Sequence, residues 1–139
     1  MTHDAVNHPV HYQSESGLEA IDVIEAVTGL EMHLPTAMKY ILRHQAKGRP
    51  AEDLAKAKWY IDRLLAKKGL PERQPVMAID MQARVADVFR LEGAARTALF
   101  HVFGAIAAVS DDRRWAYLRN ASDDLGRAIR ALGGAEAVA

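Results

Sequence analysis

The fold is decided by the stretch PAEDLAKAKWYIDRLLAKKG, residues 50–69. Its apolar side chains recur every three or four positions, at Leu54, Ala57, Ile61, Leu64 and Leu65. An α-helix turns once in about 3.6 residues, so these side chains share one face while the charged residues between them occupy the other. Pro50 favours a helix start, and Gly69 favours a helix end. The stretch predicts a helix that packs one face against a core.

Helical spacing of apolar residues continues on both sides of this stretch. It predicts a first helix over about 18–28 and a second of about three turns, with Pro35 in its first turn and Gly48 ending it. Further helical patterns cover 76–92, 94–109 and 112–132, and strand patterns are nearly absent. We therefore predict an all-α protein, a compact helical bundle of five to six helices.

Two segments suggest how the chain is divided. Asn7-His8-Pro9 disfavours helix, so residues 1–16 are expected to form an extended N-terminal arm. The Pro-containing segment 70–75 is the best candidate boundary between an N-terminal part, 1–69, and a C-terminal part, 76–134, which form either two units or one domain. Residues 94–109 are almost uniformly small or apolar. A helix that is apolar all round completes a core or packs against another subunit, so we expect a homo-oligomer.

Composition narrows the function classes. The 139 residues, half of them hydrophobic, are enough for one domain with a core. Eighteen basic and eighteen acidic residues leave no net charge to attract nucleic acid or an anionic membrane. The chain has no cysteine, which excludes disulfides and thiolate chemistry. With neither a signal-peptide core nor an apolar run of membrane-spanning length, we expect a cytoplasmic protein.

Three carboxylates follow one another at three-residue steps on the first predicted helix, at Glu19, Asp22 and Glu25. At this spacing they lie on one stripe and repel each other unless cations offset them. One interpretation is a Mg²⁺ site that uses Glu19 and Asp22, since Mg²⁺ prefers oxygen ligands. The other is an exposed acidic stripe near a helix N-terminus, where the helix dipole favours negative charge.

Basic residues lie at four-residue steps on the second predicted helix, at Lys39, Arg43 and Lys47. Like charges at that spacing repel, so a nearby anion would stabilise them. The anion is either a carboxylate of a neighbouring helix or a phosphate, to which Arg43 presents a planar fork and Lys39 a mobile charge.

Aromatic residues lie beside the basic residues of the second and third predicted helices. Tyr40 adjoins those of the second helix, while Tyr60 shares a face with Lys56 and Arg63 on the third helix, with Trp59 beside it. An aromatic side chain at such a position packs in the core or stacks on a nucleobase.

Two histidines, His8 and His11, flank a proline in the N-terminal arm, followed by Tyr12. Nothing else in the arm completes a metal site, so we consider proton transfer or phosphate binding by the histidines. The alternative is a polar turn that docks Tyr12 onto the bundle.

Several standard nucleotide and hydrolase motifs are absent. The sequence contains no G-x-x-x-x-G-K-[ST] loop, no G-x-G-x-x-G, no G-x-S-x-G and no H-E-x-x-H. Basic residues do not alternate with aromatic residues as in a groove for single-stranded nucleic acid.

Four blocks in fixed order nevertheless resemble a known family. They are His8-Pro9-x-His11-Tyr12, Ile21-Asp22-Val23-Ile24, Ala37-x-Lys39-Tyr40-Ile41-Leu42-Arg43 and Asp53-Leu54-x-Lys56-Ala57-x-Trp59-Tyr60. This order, over about residues 7–65, resembles a family of small phage proteins that includes the early nucleotide kinase of a T-odd coliphage. The resemblance implies a phosphotransferase without a P-loop, acting on deoxynucleoside monophosphates with a nucleoside or deoxynucleoside triphosphate as donor, and built as a helical oligomer.

The leading hypothesis assigns roles to these residues. Lys39 and Arg43 hold phosphates and offset the charge of the transfer, and His8 or His11 orients or deprotonates the acceptor. Glu19 and Asp22 hold Mg²⁺ or fix the cations. The substrate is bound by Tyr12, Tyr40, Lys47, Lys56, Trp59, Tyr60 and Arg63.

Two other function classes stay open. A helical nucleoside-triphosphate pyrophosphohydrolase of the MazG type also sets carboxylates around Mg²⁺, and Glu19 with Asp22 would serve as one of its two pairs. Glu52-Asp53 lacks the spacing of the other pair. A non-catalytic phage accessory protein would bind a nucleotide or a host factor through the cationic stripe.

Overall fold

The computed structural model describes residues 19–46 and 48–134, and over these ranges the protein is all-α, which confirms the predicted fold class. The helices are α1 (Ala20–Thr28), α2 (His33–Arg43), α3 (Pro50–Lys67), α4 (Ile79–Val88), α5 (Gly93–Ala107) and α6 (Asp111–Ala131). The predicted N-terminal arm lies outside the described residues. None of the helices in the described ranges is both long enough and apolar enough to cross a membrane.

The observed bounds of α2 and α4 bear on the predicted ones. α2 begins at His33, so Pro35 lies in its first turn, as predicted. Pro35 is tolerated there because the N–H groups of a first turn have no partner within the helix. α4 is shorter than the pattern over 76–92, because the chain turns after Val88 and Arg90 adopts a positive φ of 58°. Met77 and Phe89, from the ends of that pattern, are exposed.

One hydrophobic core joins the two halves of the chain. α5 packs along α6, and α3 packs on both α2 and α6. The core contains fully buried side chains from α2, α3, α5 and α6, among them Ile41, Leu54, Ile61, Leu99, Val102, Leu118 and Leu125. The apolar helix α5 therefore packs inside the same chain, between elements of both halves.

The segment between α3 and α4 is fastened to the C-terminal helices. Buried Arg114 of α6 donates from Nε to the carbonyl oxygen of Ala105 at 2.7 Å and from a terminal nitrogen to that of Pro71 at 2.6 Å. The backbone N–H of Gln74 donates to the carbonyl of Ile106 at 3.0 Å. Because buried backbone acceptors need partners, these bonds fix the path of the predicted boundary segment.

α1 differs from the other helices in how it is held. Its N-terminus carries a capping box in which Glu19 and Asp22 exchange bonds with backbone N–H groups, and Gly29 ends it at a φ of 68°. Ile21 is its only buried side chain, while Val23, Ile24 and Val27 are exposed. Apolar packing therefore contributes little to its position, and polar contacts must hold it.

Candidate functional site

A polar pocket of about 400 Å³ lies where the C-terminal end of α2 meets the N-terminal end of α3. It is lined by Tyr40, Arg43, Arg49, Glu52, Asp53 and Lys56. Arg43 is the last residue of α2, and Pro50 is the first of α3, so the short connection between them places both helix ends side by side. Glu52 and Asp53 lie in the first turn of α3, where the helix dipole favours carboxylates.

The charges in this pocket are only partly paired. Glu52 has long contacts to Arg49 at 3.5 Å and to Lys56 at 3.8 Å. Arg43 has no ion pair with any described residue. Asp53 is 7 % exposed, and its Oδ2 atom has no hydrogen-bond partner among residues 19–46 and 48–134. A buried polar atom without a partner is costly, so Asp53 is a position where a bound water or a ligand would supply the missing hydrogen bond.

Aromatic side chains adjoin the pocket on the α2–α3 surface. The Tyr40 and Tyr60 rings lie 6.4 Å apart at 15°, and Trp59 meets Tyr60 edge-on at 5.0 Å. The ammonium groups of Lys39 and Lys56 lie 4.7 and 5.7 Å from the centre of the Tyr40 ring. The two lysines thus gather around one tyrosine, a geometry that cation–π attraction favours.

A second polar cluster lies between α1 and α3, centred on Arg63. Its guanidinium donates to both carboxylate oxygens of Glu25, at 2.9 and 2.8 Å, and to Asp22 at 3.1 Å. His33 Nε2 shares a 2.7 Å hydrogen bond with Glu25. These bonds, those of Arg63 first, lower the pKa of Glu25 from 4.5 to about 2. The pKa of Arg63 is raised, mainly by its bonds to Glu25. Two members of the acidic stripe, Asp22 and Glu25, are therefore offset by the Arg63 guanidinium.

These contacts bear on the predicted Mg²⁺ position. One oxygen of Asp22 accepts the backbone N–H of Glu19, and the other accepts from Arg63. Glu19 is committed to the capping box. The described residues include no group of three or more histidine or acidic side chains arranged to hold a metal ion. As arranged, the carboxylates do not fit a Mg²⁺ site unless Arg63 is displaced. Mg²⁺ at Glu19 and Asp22 stays a prediction.

The structure brings most of the described candidate residues together. Those in or beside the α2–α3 pocket are Lys39, Tyr40, Arg43, Lys56, Trp59 and Tyr60. Arg63 lies one turn beyond Trp59 and forms ion pairs with Asp22 and Glu25 of α1 instead. His8, His11, Tyr12 and Lys47 lie outside the described residues.

Sequence reasoning missed three lining residues, Arg49, Glu52 and Asp53, as parts of the site. Pro50 was identified as a helix start, and this signal already places the two acidic residues in a first helical turn. The burial of Asp53 had no such signal, because it depends on how α2 crosses α3.

Comparison with known proteins adds one partial match. A family model described as a protein of unknown function, DUF3310, matches residues 6–62, less than half of the chain. The matched range includes all six residues that line the α2–α3 pocket. No curated protein and no solved structure matches the chain.

Proposed function

We propose that this protein binds a nucleotide in the α2–α3 pocket and acts as a phosphotransferase, a deoxynucleoside monophosphate kinase without a P-loop. The proposal rests on two side chains of the pocket. Within the part of the chain that the structure describes, Arg43 lacks an ion pair and Asp53 keeps a buried oxygen without a hydrogen-bond partner. The order of motifs that resembles a phage nucleotide kinase supports the same class.

The basic side chains of the pocket suit a phosphate group. Arg43, Arg49 and Lys56 line it together, and two acidic residues only partly offset them. A guanidinium offers parallel N–H donors that match two phosphate oxygens, and an ammonium adds a charge of adjustable position. In phosphoryl transfer, positioning and electrostatic stabilisation supply most of the catalysis, so such a group of cations is what the reaction requires.

The remaining lining residues suit the rest of a nucleotide. Asp53 accepts hydrogen bonds from sugar O–H or base N–H groups, which would supply the missing partner of its Oδ2 atom. The Tyr40, Tyr60 and Trp59 group offers ring faces beside the pocket for a base. In the proposed reaction a P–O bond of the donor triphosphate breaks and a new P–O bond forms at the acceptor phosphate, which yields two nucleoside diphosphates.

The proposal is tested by incubating the purified protein with dTMP or dGMP and a triphosphate donor, with and without Mg²⁺, and measuring the diphosphate formed. Arg43→Ala is expected to lower kcat/KM by about 100-fold, because it removes a charge aimed at the transferred group. Lys39→Ala is also expected to lower kcat/KM. Asp53→Asn is expected to weaken binding, because it replaces one acceptor oxygen by an NH₂ donor. It should leave the fold intact, because Oδ2 makes no hydrogen bond to a described residue.

Arg84→Ala is the matched control, since Arg84 is an exposed arginine of α4 outside the pocket lining. It is expected to retain full activity. The kinase proposal would be refuted if the wild-type protein formed no more diphosphate product than Arg43→Ala. Mg²⁺-dependent release of pyrophosphate without an acceptor would identify a MazG-type hydrolase instead. Thermal stabilisation by nucleotides without turnover under any metal condition would identify a binding protein.

A further inference from the structure

A second cavity, of about 700 Å³, lies on the other half of the molecule, between α4, α5 and the start of α6. Its walls include the apolar side chains of Val76, Ile79, Phe100 and Phe103. Its volume falls within the range of small-molecule sites, which are mostly apolar with a few placed polar groups. The cleft is formed by residues 76–117, so it lies outside the segment that matches a family model and outside the α2–α3 pocket.

One polar group of the cleft, His101, is held by a buried acid. Its Nδ1 atom is hydrogen-bonded to the carboxylate of Asp124, which is 1 % exposed and also contacts Arg127. An ionised carboxylate only accepts hydrogen bonds, so Nδ1 is the donor in this pair. The bond fixes the ring orientation and leaves Nε2 as the nitrogen available to a ligand. The His101 side chain is 25 % exposed and lines the cleft.

The wall next to His101 depends on a glycine. A Cβ atom added at Gly104 would lie 2.7 Å from the ring of Tyr117. The absence of a side chain at this position therefore lets the Tyr117 ring lie directly on α5, with its centre 5.9 Å from that of His101. Both rings line the cavity, so the close approach of α5 and α6 shapes the cleft on the side of His101.

A basic side chain also lines this cleft. Arg113, in the first turn of α6, is exposed, and its guanidinium has no ion pair with any described residue. The carboxylate of Asp124 is already shared by His101 and Arg127. The cleft thus combines an apolar wall, a cation that forms no ion pair within residues 19–46 and 48–134, and an imidazole of fixed orientation. This set is complementary to a molecule that is apolar at one end and acidic at the other.

We propose that this cleft binds a small amphiphilic anion, with its apolar or aromatic body against Phe100 and Phe103 and its acid group at Arg113 and His101 Nε2. With Nδ1 bonded to Asp124, the imidazolium form of His101 presents its Nε2–H group as a donor to the anion. This binding function is separate from the proposed nucleotide site.

The probe for the test is 8-anilinonaphthalene-1-sulfonate, which has an aromatic body and one acid group, added to the full chain. We expect a saturable rise in fluorescence with one dye per chain, and a shift of the His101 Nε2 resonance in ¹⁵N spectra of the imidazole rings. Arg113→Ala and His101→Ala should each raise the dye Kd about 10-fold, because each removes a charge-assisted or oriented hydrogen bond.

Arg119→Ala is the matched control, an exposed arginine on the same helix that does not line the cleft. It should leave the Kd unchanged, and circular dichroism should show native helix content in every variant. Because Arg113 is exposed, Arg113→Ala is expected to fold normally. It therefore tests the proposal even if His101→Ala disturbs the buried Asp124.

Three results would overturn the proposal. One is dye binding that does not saturate or that neither cleft variant weakens. Another is loss of binding in Val27→Ser with no movement of the His101 resonance, which would place the dye on the exposed face of α1. The third is a measured molecular mass twice that of one chain, together with dye binding that appears only when dilution dissociates the dimer. This result would mean that a second copy of the chain occupies the cleft.

Discussion

Replacing Glu25 with glutamine tests the ion pairs that hold α1. Glu25 bonds to Arg63 and His33 and is nearly buried, with 11 % of its side chain exposed. The lowering of its pKa from 4.5 to about 2 corresponds to about 3 kcal/mol of stabilisation of the charged, folded form. Glutamine keeps the shape and one acceptor but removes the charge. Because Ile21 is the only buried side chain of α1, little else compensates.

We expect Glu25→Gln to lower the free energy of opening of α1 by about 2–3 kcal/mol at pH 7. Amide hydrogen exchange of residues 20–28 measures this directly, and a loss of that size speeds exchange about 30- to 150-fold. Exchange is the right assay because it also reports α1 opening while the core stays folded. Urea unfolding followed by circular dichroism reports how much of the loss reaches the whole domain.

The effect has a defined pH dependence. Since the folded-state pKa of Glu25 lies below the unfolded value, its contribution is present above pH 4.5 and is lost as the pH falls towards 2. The wild-type opening energy of α1 should therefore fall over that window, while Glu25→Gln should lack most of this slope. Glu72→Gln, at an exposed position of the segment before α4, is the control and should stay within about 0.5 kcal/mol of wild type.

Two outcomes would refute the reasoning. Opening energies of Glu25→Gln and wild type that agree within about 0.5 kcal/mol at pH 7 would mean that the ion pairs contribute no more than an exposed surface pair. Equal slopes for the two proteins between pH 4.5 and 2 would mean that another carboxyl group carries the titration.

Three further substitutions test the C-terminal half, each by urea unfolding. Gly104→Ala should cost about 1–3 kcal/mol despite its better helix propensity, because the new Cβ atom lies 2.7 Å from the Tyr117 ring; a more stable variant would contradict this contact. Leu118→Ala should cost about 2–5 kcal/mol, since the side chain is fully buried, and a loss under 1 kcal/mol would place it outside the core. Ser110→Ala should cost about 1 kcal/mol because its hydroxyl caps α6, whereas Ser110→Asp should restore the cap.

Local sequence patterns were sufficient to predict the helices. The α3 pattern gave the observed start at Pro50 and an end within two residues of Gly69, because proline and glycine act on the backbone next to them. Pro35 correctly indicated the first turn of α2 but not its first residue, His33, since proline is tolerated at any position of a first turn.

The pairing of side chains was not predictable in the same way. The repulsion of the α1 carboxylates correctly indicated that a cation must lie near, but the sequence does not show that it is Arg63, 38 positions after Glu25. The link between His101 and Asp124 spans 23 positions and had no motif. Such pairs depend on how helices cross, and helical periodicity fixes only which residues share a face.

The common core of the two halves has a consequence for any shortened form of this chain. The segment that matches a family model ends at residue 62, inside α3, whereas α5 and α6 lie beyond it and cover the buried faces of α2 and α3. A fragment cut after α3 would lose α5 and α6, on which α2 and α3 pack, and we expect it not to fold on its own. The matched segment is a recognisable stretch of sequence, but the unit of cooperative stability includes the C-terminal helices.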